Sequence, residues 1–445
     1  MNAPILAAVL LAAPLRLVGE VESRQEMGLF PNLTPTADGT LGDSWTLARW
    51  TLRPELELRA ESRRQDLAVA YQPQLLLQSS LDGAAPDNIT DPLVLHVGQV
   101  GHTWRAARGV DLVSSVSVRS GEIDLPGFAA GPADDGPVGG LPTEGEDVEV
   151  AVGLTQADAS TSLQVATGDT ESLALTLRGG YLEPFGAAGD AILASYELGL
   201  GIEYARYLIK DVDAVFDASM THLEFFELDR SSRQAQLRVG ATWSPRRTLR
   251  WDLRAGVLAI VGDQSLVSDA DAEPEPVREV FPSGRLSLDW VFVSNASVQG
   301  SLQWSAFLEA SRAAAAATFV PQVGTGAGVL FAWPGATLTA RAVAATALGD
   351  LGQSEGVFLP TFYSARGTLD VPASRNFAFF FQVRGGQRAP ALSASELEFG
   401  FTELVGLVGV RVWFSTGRDV GLDRPARVLD AEDEEEAEPI EPESR

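Results

Sequence analysis

From Leu47 to Phe414 the chain alternates apolar and polar residues in stretches of roughly ten or more, joined in pairs by tight turns. In one such unit Leu237, Val239, Ala241 and Trp243 share one parity, and Gln236, Arg238, Gly240 and Thr242 share the other. After Ser244-Pro245-Arg246-Arg247 the alternation resumes, with Trp251, Leu253, Ala255 and Val257 set against Arg250, Asp252, Arg254 and Gly256. Successive side chains of a strand point to opposite faces, so each stretch is a ribbon with one apolar and one charged face. Strands of soluble sandwiches average about five or six residues. Stretches of about ten match a tilted strand crossing a bilayer. The pattern therefore predicts an all-β fold, a single transmembrane antiparallel up-and-down β-barrel.

The connections form two alternating classes. Short ones lie near residues 62–65, 105–108, 167–170, 208–211, 244–247, 294–296, 333–335 and 372–375. Longer ones lie near 28–44, 80–91, 125–147, 184–190, 227–230, 262–280, 312–318, 349–355 and 389–395. About nine loops interleaved with about eight turns imply about 18 strands, the first at 15–27 and the last at 397–414. Weak alternation in the first and the length of 148–166 leave 16 as the alternative. The chain divides into a signal peptide over 1–13, a barrel over 14–415 and an acidic, disordered periplasmic tail over 416–445. Outer-membrane barrels place short turns in the periplasm, which puts both termini there.

The two faces separate chemically. Leu198, Leu200, Ile202 and Tyr204 oppose Glu197, Gly199, Gly201 and Glu203, and Leu286, Leu288, Trp290 and Phe292 oppose Arg285, Ser287 and Asp289. A charge facing lipid near the midplane costs roughly 2–4 kcal/mol, so the charged parity must face inward. The expected lumen lining is Glu55, Glu57, Arg59, Glu197, Glu203, Arg238, Arg250, Asp252, Arg254, Arg285, Asp289, Gln303, Arg341, Arg366 and Arg411. Stripes of opposite sign on facing walls would set up a transverse field that orders dipolar solutes. Trp45, Trp50, Trp104, Trp243, Trp251, Trp333 and Trp413 fall near strand ends, where amphipathic rings suit the lipid headgroups.

Composition narrows the function. Among 445 residues, 45% hydrophobic, no apolar run is long enough for a spanning helix. Of the net charge of −27, residues Asp419 to Arg445 hold −8, through 11 acids and 3 bases, leaving −19 for the rest. That balance excludes nucleic acid as a partner and disfavours a general anion pore. Lys210 is the only lysine, and arginine's planar fork suits a lumen that meets carboxylates. With no cysteine there is neither a disulfide nor a thiolate metal site. His96 and His102 share a strand face but stand roughly 20 Å apart along extended chain, too far for one ion. His222, on the parity of Phe216 and Met220, reads as a packing residue. No motif identifies a reaction, a cofactor or a metal.

In the last stretch, Val408, Val410, Val412 and Phe414 share a face, with Gly409 and Arg411 on the other. This resembles the C-terminal aromatic signal of outer-membrane porins that barrel-assembly machinery reads, although here about thirty residues follow, as a tail that lies past the last ladder bonds. As a whole the chain is similar to large β-barrel porins and to the outer-membrane barrels of polysaccharide-export systems. The resemblance implies the outer membrane of a Gram-negative bacterium and a non-enzymatic passage for polar solutes or a polysaccharide. It also implies contact with outer-membrane lipid, lipopolysaccharide and a periplasmic export partner. The other readings are a structural or adhesive barrel with a closed lumen and an outer-membrane lipid hydrolase. The Gly-, Pro- and Asp-rich stretch 125–147 reads as a disordered external loop, with an inward-folded constriction as the alternative, and the acids Asp263, Asp269, Asp271, Glu273, Glu275 and Glu279 as loop residues that bridge divalent cations to lipopolysaccharide or simply stay solvated.

Overall fold

The computed structural model describes residues 15–31, 44–80, 92–124, 151–166, 168, 170–185, 194–226, 230–264, 275–295, 297–313, 318–347, 362–374, 376–388 and 401–415. Residues 1–13, expected to be a signal peptide, lie outside these residues, as do 125–147, most of 263–279 and 416–445. The described chain forms strands β1 (Leu15–Pro31), β2 (Ser44–Glu61), β3 (Gln65–Ser80), β4 (Leu93–Ala107), β5 (Val110–Asp124) and β6 (Ala151–Ala166). They are followed by β7 (Glu171–Phe185), β8 (Ser195–Ile209), β9 (Val212–Phe225), β10 (Arg230–Arg246), β11 (Leu249–Gln264) and β12 (Glu275–Ser294). The last six are β13 (Gln299–Ala313), β14 (Thr318–Trp333), β15 (Ala336–Ala347), β16 (Phe362–Ser374), β17 (Phe377–Arg388) and β18 (Phe401–Ser415).

Each strand pairs antiparallel with the next, and β18 pairs with β1 from Val18↔Ser415 to Leu29↔Leu404, which closes an 18-stranded ring. The count is eighteen rather than sixteen because both doubtful stretches are strands. In β1 the inward register positions Glu20, Glu22 and Arg24 face Glu55, Arg53 and Thr51 of β2, and β6 runs unbroken. A strand of 15 residues, like β8, rises roughly 38 Å when tilted by about 40°, more than the apolar band of about 25 Å.

The faces divide as the alternation demands. Leu198, Leu200 and Val239 are 52%, 54% and 60% exposed, whereas Arg238, Asp252 and Glu57 are 9%, 8% and 4% exposed. An isolated soluble protein would not leave so many large side chains in water, so the outer wall is a lipid-facing belt. On β8 it runs from Tyr196 to Tyr204, with Leu200 midway. Trp104, Trp243, Trp290, Phe292 and Trp333 edge the belt at the end where the short turns lie. Trp290 thus belongs to the girdle rather than the middle of the wall, because β12 ends only at Ser294. Trp413 follows the inward parity of Arg411, since Val412 is the exposed residue of that pair. Along β18 Val408 and Val412 are outward, Val410 shares their parity and Phe414 sits in register with Gly19 of β1.

Local chemistry sets the turns and the coiling. The two-residue turn before β5 needs a left-handed residue, and Gly109 supplies it at φ 72°, where a Cβ would lie 2.6 Å from the Ala166 carbonyl oxygen. Gly240 and Gly256 mark a close approach of two backbones, with an added Cβ falling 1.9 Å and 1.8 Å from the Leu253 and Leu237 carbonyl oxygens. They sit opposite Arg254 and Arg238 in register.

Candidate functional site: the barrel lumen

The inward parity brings together a network drawn from five strands, β8 to β11 and β13. Asp217 of β9 is its hub, accepting from Arg238 Nε at 2.8 and 3.1 Å and from Arg254 Nη1 at 3.2 Å. Arg254 also donates to Asp252 at 2.8 Å through Nε and 3.0 Å through Nη2, and to Glu203 of β8 at 2.6 Å. Asp252 further accepts from the Thr242 hydroxyl at 3.0 Å, and Arg238 reaches across the lumen face to Glu309 of β13. Withdrawing these charges from bulk water is costly, and the forked, charge-assisted bonds offset that cost only because every partner is in place.

β2 and β11 stand nine strands apart in either direction, so their stripes occupy opposite walls. On β2 the Glu57 carboxylate accepts from Arg59 Nε at 2.9 Å, and Glu55 from Gln72 Nε2 at 3.3 Å. Neither stripe has a single sign: Arg59 lies on Glu57, while Asp217, Asp252 and Glu203 lie on Arg238 and Arg254. A one-sign surface occurs elsewhere. Arg341, Arg366 and Arg384 are register neighbours across β15, β16 and β17, on the inward parity. Facing it, the inner sides of β6 to β9 carry Asp158, Glu197, Glu203, Asp213 and Asp217 against Arg178.

The remaining expected lining residues fall on the inner wall as well. Arg250, Asp289 and Gln303 are register neighbours towards the turn end, and Arg285 pairs in register with Arg254. Arg411 donates to Asp370 at 3.2 Å and covers the Phe380 ring at 4.9 Å. Asp217, Glu309, Asp370 and Arg384 were not singled out from sequence, although each sits on the polar parity of its stretch. The three histidines lie on the outward parity. His96 is hydrogen-bonded to the Tyr71 hydroxyl at 2.7 Å, and His222 to that of Tyr196 at 3.3 Å, both away from the lumen carboxylates.

The strand boundaries also relocate the acid excess. The nine connections at the loop end contain 21 acidic residues and no basic one. The rest of the chain before Asp419 then holds 28 acidic against 30 basic residues, so the wall is close to neutral instead of acidic. At the opposite end Arg63, Arg64, Arg108, Lys210 and Arg247 are exposed on the turns. In sequence, the connections after odd-numbered strands are acidic, whereas the described turns after even-numbered strands carry these five bases beside Asp211.

At the loop end the inner face changes character. Leu223 and Phe225 of β9 and Leu258 and Ile260 of β11 follow the inward parity yet are apolar, and they are buried with Phe319 of β14. Phe281 and Ala310 pack against this cluster. The upper lumen is therefore filled on the β9–β14 side, while the charged residues lie below it.

No protein-family model matches the chain. No curated protein sequence matches it. Among solved structures it is similar to the outer membrane protein opdK from Pseudomonas aeruginosa, at 11% identity and TM-score 0.40, over 89% of this chain and 99% of that one. It is similar also to OccK9 (OpdG) of Pseudomonas aeruginosa, at 10% identity and TM-score 0.43, over 89% and 98%. A third is the ferric-catecholate import receptor Fiu from E. coli in its open form, at 9% identity and TM-score 0.40, over 89% and 81%.

Proposed function

We propose that this protein is a non-enzymatic channel of a Gram-negative outer membrane that passes polar solutes through its lumen, with the turns and both termini in the periplasm. The observation that carries the reading is a closed 18-stranded ring with an apolar outer belt and a charged inner wall. A barrel of this size encloses more space than its side chains fill. The arginine row suits solutes bearing a carboxylate, which a guanidinium fork binds bidentately, while the facing acids orient a cationic or hydroxyl-bearing end. Ser115, Ser160, Ser162 and Thr176 of β5 to β7 add hydroxyls to the acidic side, with those of Ser115 and Ser160 2.7 Å apart. Such a surface also suits a polysaccharide, the alternative cargo, which a periplasmic export partner would deliver. The acidic loop crown meets lipopolysaccharide phosphates through divalent cations, and barrel-assembly machinery reads the end of β18.

Swelling of liposomes containing the purified protein tests this. Neutral sugars and sugar acids should both enter. Replacing Arg341, Arg366 and Arg384 together with Gln should slow the sugar acids several-fold and leave neutral sugars unchanged. A folded barrel admitting neither solute would refute the channel reading, and equal effects on both would refute the role of the row.

A further inference from the structure

The geometry points to the end of the β13–β14 hairpin as a gate of this channel, held shut by Glu309 and Phe319; the inference rests on the channel reading. The β12–β13 ladder runs from Ser294↔Gln299 to Gly284↔Leu308 and stops there, although β12 continues back to Glu275 and β13 on to Ala313. On the other side the β14–β15 ladder runs to Gln322↔Ala347, at the end of β15. Between these points β13 and β14 remain paired with each other, through Glu309↔Gln322 and Ala310↔Pro321 up to Ala313↔Thr318. Residues 309–313 of β13 are zipped to 318–322 of β14 and detached from β12.

The sequence supplies the reason. Two positions past Gly284↔Leu308 the ladder would set Pro282 opposite Ala310, and Ala310 already faces Pro321. Proline has no N–H to donate and is confined to strand edges and interruptions, so two prolines flank the point of departure.

The detached end turns into the lumen. β14 packs against β10 and β11, four and three strands away around the ring. The Phe319 N–H donates to the Ser232 hydroxyl at 3.4 Å, and the Phe319 side chain is 3% exposed among Leu223, Phe225, Leu258 and Ile260. Glu309 is bonded to Arg238, whose other side is held by Asp217. These contacts form an apolar seal above and an ionic latch below. Apolar residues on the lumen parity at four positions of β9 and β11 are costly in a wet pore unless something covers them. The hairpin end covers them, and its withdrawal to the line of the wall would return those residues to water and widen the lumen.

The chain has no cysteine, so an engineered pair would be its only disulfide. Single-channel currents are recorded from the full-length protein, from Glu309→Gln, and from Ser232→Cys combined with Phe319→Cys. Loss of one charge-assisted bond should raise the ratio of wide to narrow openings by roughly tenfold to a hundredfold in Glu309→Gln. Oxidation should hold the cysteine pair in the narrow state, and reductant should release it. Wild-type current that ignores both the Gln substitution and the oxidised pair overturns the gate and leaves the channel reading intact. Absence of current in every variant of a folded barrel overturns the channel reading, and the gate with it.

Discussion

Placing an arginine on either side of one residue step in β8 measures which face meets lipid. Leu200 is outward, 54% exposed, and lies midway between Tyr196 and Tyr204 at the edges of the belt. Gly201, the next residue, points inward beside Thr176, and a Cβ there meets its nearest atom at an ordinary 3.9 Å. Leu200→Arg puts a guanidinium at the bilayer midplane, which costs roughly 2–4 kcal/mol, or a 30- to 700-fold fall in the folding equilibrium. Gly201→Arg puts the same group in the lumen near Glu203, where it stays hydrated and close to an opposite charge, so its cost should be under about 1 kcal/mol. The assay is denaturant titration of refolding into lipid vesicles, followed by tryptophan fluorescence and by the gel shift of the folded barrel. Equal destabilisation by the two substitutions, or a larger loss from Gly201→Arg, would show that the inside and outside of the wall have been exchanged.

Asp217→Asn removes a carboxylate shared by Arg238 and Arg254 and should destabilise the barrel by roughly 1–3 kcal/mol, read from the same titration; an unchanged midpoint would mean that the network does not help hold β9 to β11. Gly256→Val has no room for its Cβ against Leu237 and should block folding, whereas Gly367→Val, with open space around it, should fold; gel-shift assembly of both variants decides this. Phe414→Ala should lower the amount of assembled barrel in membranes, and removal of residues 419–445 should not. The reverse result would place the assembly signal in the tail.

Much of the fold was legible because one physical rule, alternation with period two, holds over most of the strands. Residue order alone separates Leu237 from Arg238 and Leu288 from Asp289, and with them lipid from lumen. The strand count followed from turn chemistry. Long-range registers were not legible: nothing in sequence brings Asp217, Arg238 and Glu309 together, because that depends on how β9, β10 and β13 converge. The arginine row depends likewise on the pairing of β15, β16 and β17. The turned-in hairpin left two readable signs, prolines at 282 and 321 and apolar residues at 223, 225, 258 and 260 on a polar parity. Both are breaks in the rule that made the rest readable. The acid excess was legible as a total but not in its placement, which needed the strand ends.

The central claim is that a closed, membrane-spanning wall surrounds a conducting lumen, and current through single molecules in a planar bilayer tests it most directly. The purified, folded protein should produce discrete steps whose size scales with salt concentration. With a nearly neutral wall, their ion selectivity should be weak and should fade at 1 M salt, where the Debye length is about 3 Å. A protein that inserts and shows the folded-barrel gel shift, yet gives no steps at any voltage, would contradict the account.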